Sequence, residues 1–179
     1  MRSEFSTGKG TKSVDWVVVT PSAVVLIESK SARVPIEVRA GLDVAAQLVT
    51  ERLSYAHTQL ERTAAGIRSG SKYFAHIPND RPLVGLVVTA EPLYMANDPT
   101  VRALLPTISI PTGTIALRDF EQLATWQPDA MGKALLAWTQ HPKVSGYEIF
   151  NGLSEIGLRG GKNRNKLVDA AFLRYVGTK

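Results

Sequence analysis

Two β-branched runs separated only by Pro21-Ser22 constrain this chain more than any other feature: Asp15-Trp16-Val17-Val18-Val19-Thr20 and Ala23-Val24-Val25-Leu26-Ile27-Glu28. Each is a strand candidate, and so short a connection makes the pair a β-hairpin. Proline suits the second position of a type I turn. Thr20 faces Ala23 across a two-residue turn, or Val19 faces Val24 across a four-residue loop; in both cases facing residue numbers sum to 43. Asp15 then lies opposite Glu28. A three-residue loop would turn one strand over and separate the two acids.

Side chains alternate along a strand, so Glu28 and Lys30 share a face of the sheet. The register puts Asp15 on that face too, about 5 Å from Glu28 between Cβ atoms. Facing carboxylates repel each other unless a cation sits between them, and a hard divalent ion with oxygen ligands removes the conflict. Lys30, on the diagonal, is within reach of a water or a phosphate oxygen. A Glu-x-Lys triplet alone is common on solvated strand ends. Three coincident features raise its weight here: an Asp at the facing position, an apolar strand leading into the acid, and a long helix after it.

That helix is expected over Leu42 to Arg68, where Ala45, Val49, Leu53, Ala56, Leu60, Ala64 and Ile67 recur at steps of three and four. At a hundred degrees per residue, Arg52, Gln59 and Thr63 fall on one edge of the apolar stripe, and Gln47 falls well away from it. Tyr55 and His57 receive no role. Pro82 to Thr89 is a nearly continuous apolar run, as expected for a strand buried on both faces, and would follow the helix as a crossover strand. Ile108 to Ile110 and Thr114 to Leu117 are weaker strand candidates. Asp119 to Trp126, Asp129 to His141 and Asn165 to Val176 read as helices, the middle one bounded by Pro128 and Pro142.

Ser13-Val14-Asp15-Trp16-Val17-Val18-Val19 followed by Val24-Val25-Leu26-Ile27-Glu28-Ser29-Lys30 resembles the core signature of the PD-(D/E)XK nuclease superfamily, particularly its restriction-endonuclease-like and nuclease-related (NERD-like) branches. The matching stretch covers roughly residues 13 to 67. The resemblance implies an α/β fold, a restriction-endonuclease-like αβββαβ core with a mixed central sheet. It implies that Asp15 and Glu28 ligate Mg²⁺, that the Ser29 carbonyl adds a ligand, and that Lys30 positions the attacking water. Related nucleases often carry a glutamine on the long helix near the metal, and the helical wheel favours Gln59 for that place. Val14 stands where the eponymous proline would be. Only Met1 to Lys12 precede the hairpin, with Glu4 the sole upstream acid, so the first helix of the core is not expected in this stretch: either the chain is N-terminally truncated or the helix comes from elsewhere. Extra helices are expected at the C-terminal end.

A chain of 179 residues, 44% apolar and 21% charged, suits one globular domain: a core motif region over 13–90 and a helical part over 118–179. The absence of cysteine excludes disulfides and thiolate metal sites. No apolar signal core or spanning segment is present, and the chain is expected to be cytoplasmic. A net charge of +5 fits a polyanionic partner, DNA above all. Lys9, Lys12, Arg33, Arg39 and Arg52 are placed to contact nucleic-acid phosphates. A second basic group, Arg159 to Lys179, is a solvated face or a further backbone contact.

Gly8-Lys9-Gly10-Thr11-Lys12-Ser13 lacks P-loop spacing and precedes a strand where a P-loop would follow one. His57, His76 and His141 have no zinc-ligand spacing. The expected function is Mg²⁺-dependent hydrolysis of DNA phosphodiesters, with Mn²⁺ as a substitute ion. The alternatives are a catalytically inactive nucleic-acid-binding module that retains the nuclease fold, and a regulatory protein whose Asp15 and Glu28 are solvated charges. A homodimer is left open by the sequence.

Overall fold

The computed structural model describes residues 2–3, 12–31, 44–93 and 95–158, with backbone alone for 2–3 and 44–49. Lys9, Arg33, Arg39, the C-terminal basic group and the helix expected over 165–176 lie outside the described residues. The chain is α/β. Strands β1 (Arg2–Ser3), β2 (Trp16–Val19) and β3 (Val24–Lys30) precede a long helix α1 (Val44–Arg68). Strand β4 (Leu83–Thr89), helix α2 (Pro99–Arg102) and strand β5 (Thr112–Ala116) follow. Helices α3 (Leu117–Leu123), α4 (Pro128–Gln140) and α5 (Ile149–Glu155) complete the described part.

The five strands form one mixed sheet in the order β1-β2-β3-β4-β5. β1, β2 and β3 run antiparallel, and β4 and β5 add parallel strands. In the hairpin Trp16 faces Ile27, Val17 faces Leu26, Val18 faces Val25 and Val19 faces Val24, the register expected from the sequence. The turn is closed by Thr20, whose N–H donates to the Ala23 carbonyl at 2.8 Å. The Ala23 N–H donates in return to the Thr20 hydroxyl at 2.9 Å, because the Thr20 carbonyl is taken by the Arg81 guanidinium at 2.5 Å. A side-chain oxygen therefore stands in for the backbone acceptor of the turn.

Alternation along β3 and β4 divides the core into two layers. Val24, Leu26, Leu83 and Val87 face α1 and meet Leu53, Ala56, Leu60, Ala64 and Ile67, the expected stripe. Val25, Ile27, Val84, Leu86 and Val88 point the other way, onto Leu135 and Trp138 of α4 and Leu153 of α5. Gly85 lets α1 come close: a Cβ there would lie 2.8 Å from the Thr112 methyl and 3.2 Å from Leu60.

Several boundaries differ from the sequence reading, among them the following. Ile108 to Ile110 is an irregular segment, because Ile110 is anchored in the α1-side core while its neighbours bend. β5 starts at Thr112, two residues before the expected Thr114. α3 ends at Leu123, short of Trp126. α2 and α5 are too short to show a period. Among the described residues no helix is long and apolar enough to cross a membrane.

Candidate active site

The hairpin delivers its two acids where the apolar run of β3 stops. Glu28 shares the face of Val24 and Leu26, under α1, and is only 2% exposed. Ser29 is exposed and Lys30 half-buried as the strand leaves the sheet. Asp15 stands just outside the β2 ladder, half-buried, one step beyond the Trp16–Ile27 pair. Its Oδ2 accepts the Ser29 N–H at 2.7 Å and the Ser29 hydroxyl at 2.5 Å. Ser29 thus clamps Asp15 across the strand pair, a role for its side chain and amide that the sequence reading missed.

Glu28 is held differently. Its Oε1 accepts a hydrogen bond from the Lys30 ammonium, while Oε2 is buried with no hydrogen-bond partner. Burial pushes the Glu28 carboxyl above its ordinary value, and the Asp15 charge adds to the rise; the hydrogen bond and charge of Lys30 oppose it. The Lys30 ammonium also lies 4.7 Å from the centroid of the Tyr55 ring, on α1.

Gln59 approaches from the same helix edge. It is buried, its Nε2 donates to the Ser13 carbonyl at 3.4 Å, and its Oε1 has no partner. One turn on, the Thr63 hydroxyl accepts the Val14 N–H at 3.2 Å. Together these two side chains fix the segment that leads into Asp15. His57 falls on the opposite flank of α1, and burial lowers its pKa, with Arg102 adding to the effect. The structure therefore joins Asp15 to Ser29 and Glu28 to Lys30 at the end of β2 and β3, while Gln59 meets only the Ser13 carbonyl ahead of β2. Arg52 is exposed on the same edge of α1, and Lys12 is exposed ahead of β2.

Two buried acceptors, Glu28 Oε2 and Gln59 Oε1, have no donor. A buried acceptor left unpaired costs about 1–3 kcal/mol, more when it is charged. A cation or a cation-bound water satisfies such oxygens, and the donor set is oxygen throughout, as hard divalent ions require. Among the described residues no group of three or more His, Cys, Asp or Glu gathers, and those residues bring two carboxylates to this place. That number suits Mg²⁺, which keeps several waters and takes the remaining oxygens from a phosphate. Comparison with protein-family profiles, curated proteins and solved structures finds no match.

Proposed function

We propose that the chain is a metal-dependent nuclease that hydrolyses DNA phosphodiesters at Asp15, Glu28 and Lys30. The observation that carries this reading is the cross-strand pair itself: Asp15 clamped by Ser29 beside a buried, half-satisfied Glu28 whose other oxygen holds Lys30. The order of elements, three antiparallel strands, a long helix and a returning parallel strand, supports a restriction-endonuclease-like core.

Asp15 and Glu28 would hold Mg²⁺, with the Ser29 carbonyl as a further oxygen. A bound divalent ion supplies charge for the phosphate oxygens and lowers the pKa of a coordinated water. The chain's own contribution is orientation and charge. Ser29 fixes the direction of Asp15, and burial keeps competing water away from Glu28. The Lys30 ammonium, now paired with Glu28, would be placed to offer its protons to a water or a phosphate oxygen. Gln59 would supply a further buried acceptor through its unpartnered oxygen. In the hydrolysis a water oxygen bonds to phosphorus while the bond to the leaving sugar oxygen breaks, and a proton lost by the water is matched by one gained at the leaving oxygen.

The test is cleavage of supercoiled plasmid and of single-stranded DNA in Mg²⁺ or Mn²⁺, comparing wild type with Asp15→Ala, Glu28→Ala and Lys30→Ala. Each substitution is expected to reduce the rate about a hundredfold or more. Cleavage that survives all three removes the assignment. A binding module that keeps the fold without turnover is the second reading, favoured by the two-carboxylate count among the described residues. It predicts salt-sensitive DNA binding in EDTA and no cleavage under any ion.

A further inference from the structure

Tyr55 is the most exposed aromatic residue of α1, at 64%, in a position where its ring contacts the proposed site. A tyrosine serving only to shield Lys30 would lie down over it and lose most of its exposure. This ring instead meets the ammonium at 4.7 Å and leaves most of its surface to solvent. Arg52 precedes it by three residues and Arg62 follows by seven, so all three project from one edge of the helix; both arginines are exposed. One exposed acid shares that edge, Glu51 four residues before Tyr55, and leaves the arginines in excess there; Glu61 is turned away to bind the Ser109 N–H and hydroxyl.

An exposed aromatic between two guanidinium groups is the combination that binds unpaired nucleotides, the ring taking a base and the cations taking the backbone. A paired base inside a duplex presents no free face, so only an unpaired base can stack there. We infer that Tyr55 is a stacking platform for an unpaired nucleobase next to the phosphate held at Lys30, and that the site takes single-stranded DNA or an unpaired end. The inference rests on the nuclease reading above and names its substrate class. Lys30 links the two, because the one ammonium touches both Glu28 and the Tyr55 ring. The base adjoining the scissile phosphate therefore falls within reach of the ring.

The experiment is fluorescence anisotropy of the full chain with a labelled single-stranded oligothymidine and a blunt duplex of the same length, in EDTA at low salt. Wild type is compared with Tyr55→Phe, Tyr55→Leu and Tyr55→Ala. Stacking predicts that Tyr55→Leu and Tyr55→Ala weaken single-strand binding roughly ten- to hundredfold, and that Tyr55→Phe stays within about twofold. Duplex affinity should not change. Leucine keeps an apolar cover over Lys30 but has no π face, so a purely shielding role would spare Tyr55→Leu and overturn the inference. Single-strand binding that is equal in wild type and Tyr55→Ala also overturns it while leaving the nuclease reading intact. Wild type that binds neither DNA in EDTA overturns the inference alone, because the nuclease reading lets phosphate capture wait for the ion.

Discussion

Lys30→Met isolates the electrostatic heart of the site. The substitution keeps an unbranched side chain against Tyr55 but removes the ammonium that pairs with Glu28 Oε1. Glu28 would then be a carboxylate with its side chain 3% exposed and without its charged partner, against 19% exposure for the lysine it loses. Removing one partner of a buried pair costs about 3–5 kcal/mol, and the partial exposure of Lys30 argues for the lower end, about 3 kcal/mol. For a chain of this size that is a fall of roughly 6–12 °C in Tm. The loss has a defined pH dependence. Glu28 already has a raised pKa, so its favourable contribution is full below the unfolded value near 4.5 and is lost as pH rises through the folded value. Lys30→Met raises the folded value further and widens that window, so the variant should be much less stable than wild type near pH 8 and close to it at about pH 4.5. Magnesium should return part of the loss, about 1.4 kcal/mol at a free concentration ten times its Kd. Adding Glu28→Gln should abolish both the pH-dependent loss and the magnesium response. Thermal unfolding across pH, with and without Mg²⁺, measures all of this. An equal loss at about pH 5 and pH 8 would refute the reasoning, because the penalty would not come from an ionised Glu28.

Other consequences of the packing can be checked by denaturation and exchange. Gly113→Ala puts a Cβ 2.3 Å from the fully buried Trp138 ring, so urea unfolding should shift by about 1–3 kcal/mol. Thr20→Val keeps the shape of the turn but leaves the buried Ala23 N–H without its acceptor, an expected loss of about 1–3 kcal/mol in the same assay. Asn97 donates to the Thr114 carbonyl and accepts the Thr114 N–H, both at 2.8 Å, covering the open edge of β5. Asn97→Ala should accelerate hydrogen exchange at Thr114 well before it changes exchange at Leu26 in the middle of the sheet.

What could be read from the sequence was whatever repeats with a period. The hairpin register followed from residue alternation and an even loop, and the ladder from Trp16–Ile27 to Val19–Val24 obeys it. The α1 stripe and the doubly buried β4 were equally visible, since burial on a fixed face leaves a regular apolar pattern. The same wheel put Gln59 and Thr63 at the edge of the stripe, where both are buried. Features set by single long-range contacts left no such trace. Ile110 looked like part of a strand because it is apolar and β-branched, but one anchored side chain needs no ladder. α2 is four residues long and owes its start to the Asp98 carboxylate, which accepts the Thr100 N–H at 2.8 Å.

The site divides along the same line. Alternation brought Asp15, Glu28 and Lys30 to one end of one strand pair, but it could not say how each acid is neutralised. That depends on direction: Asp15 leans along β3 to Ser29, while Glu28 points under α1 to Lys30. The two acids are therefore unequal before any ion arrives. Asp15 is held by neutral donors at a half-exposed edge, whereas Glu28 is buried and already shared with an ammonium. On the metal-site proposal, an ion at Glu28 would compete with Lys30 for its carboxylate, and the ammonium already lies beside the Tyr55 ring. One side chain would thus link ion binding to phosphate capture. That coupling is why Lys30 was legible as a neighbour in sequence while its function is defined only by what surrounds it.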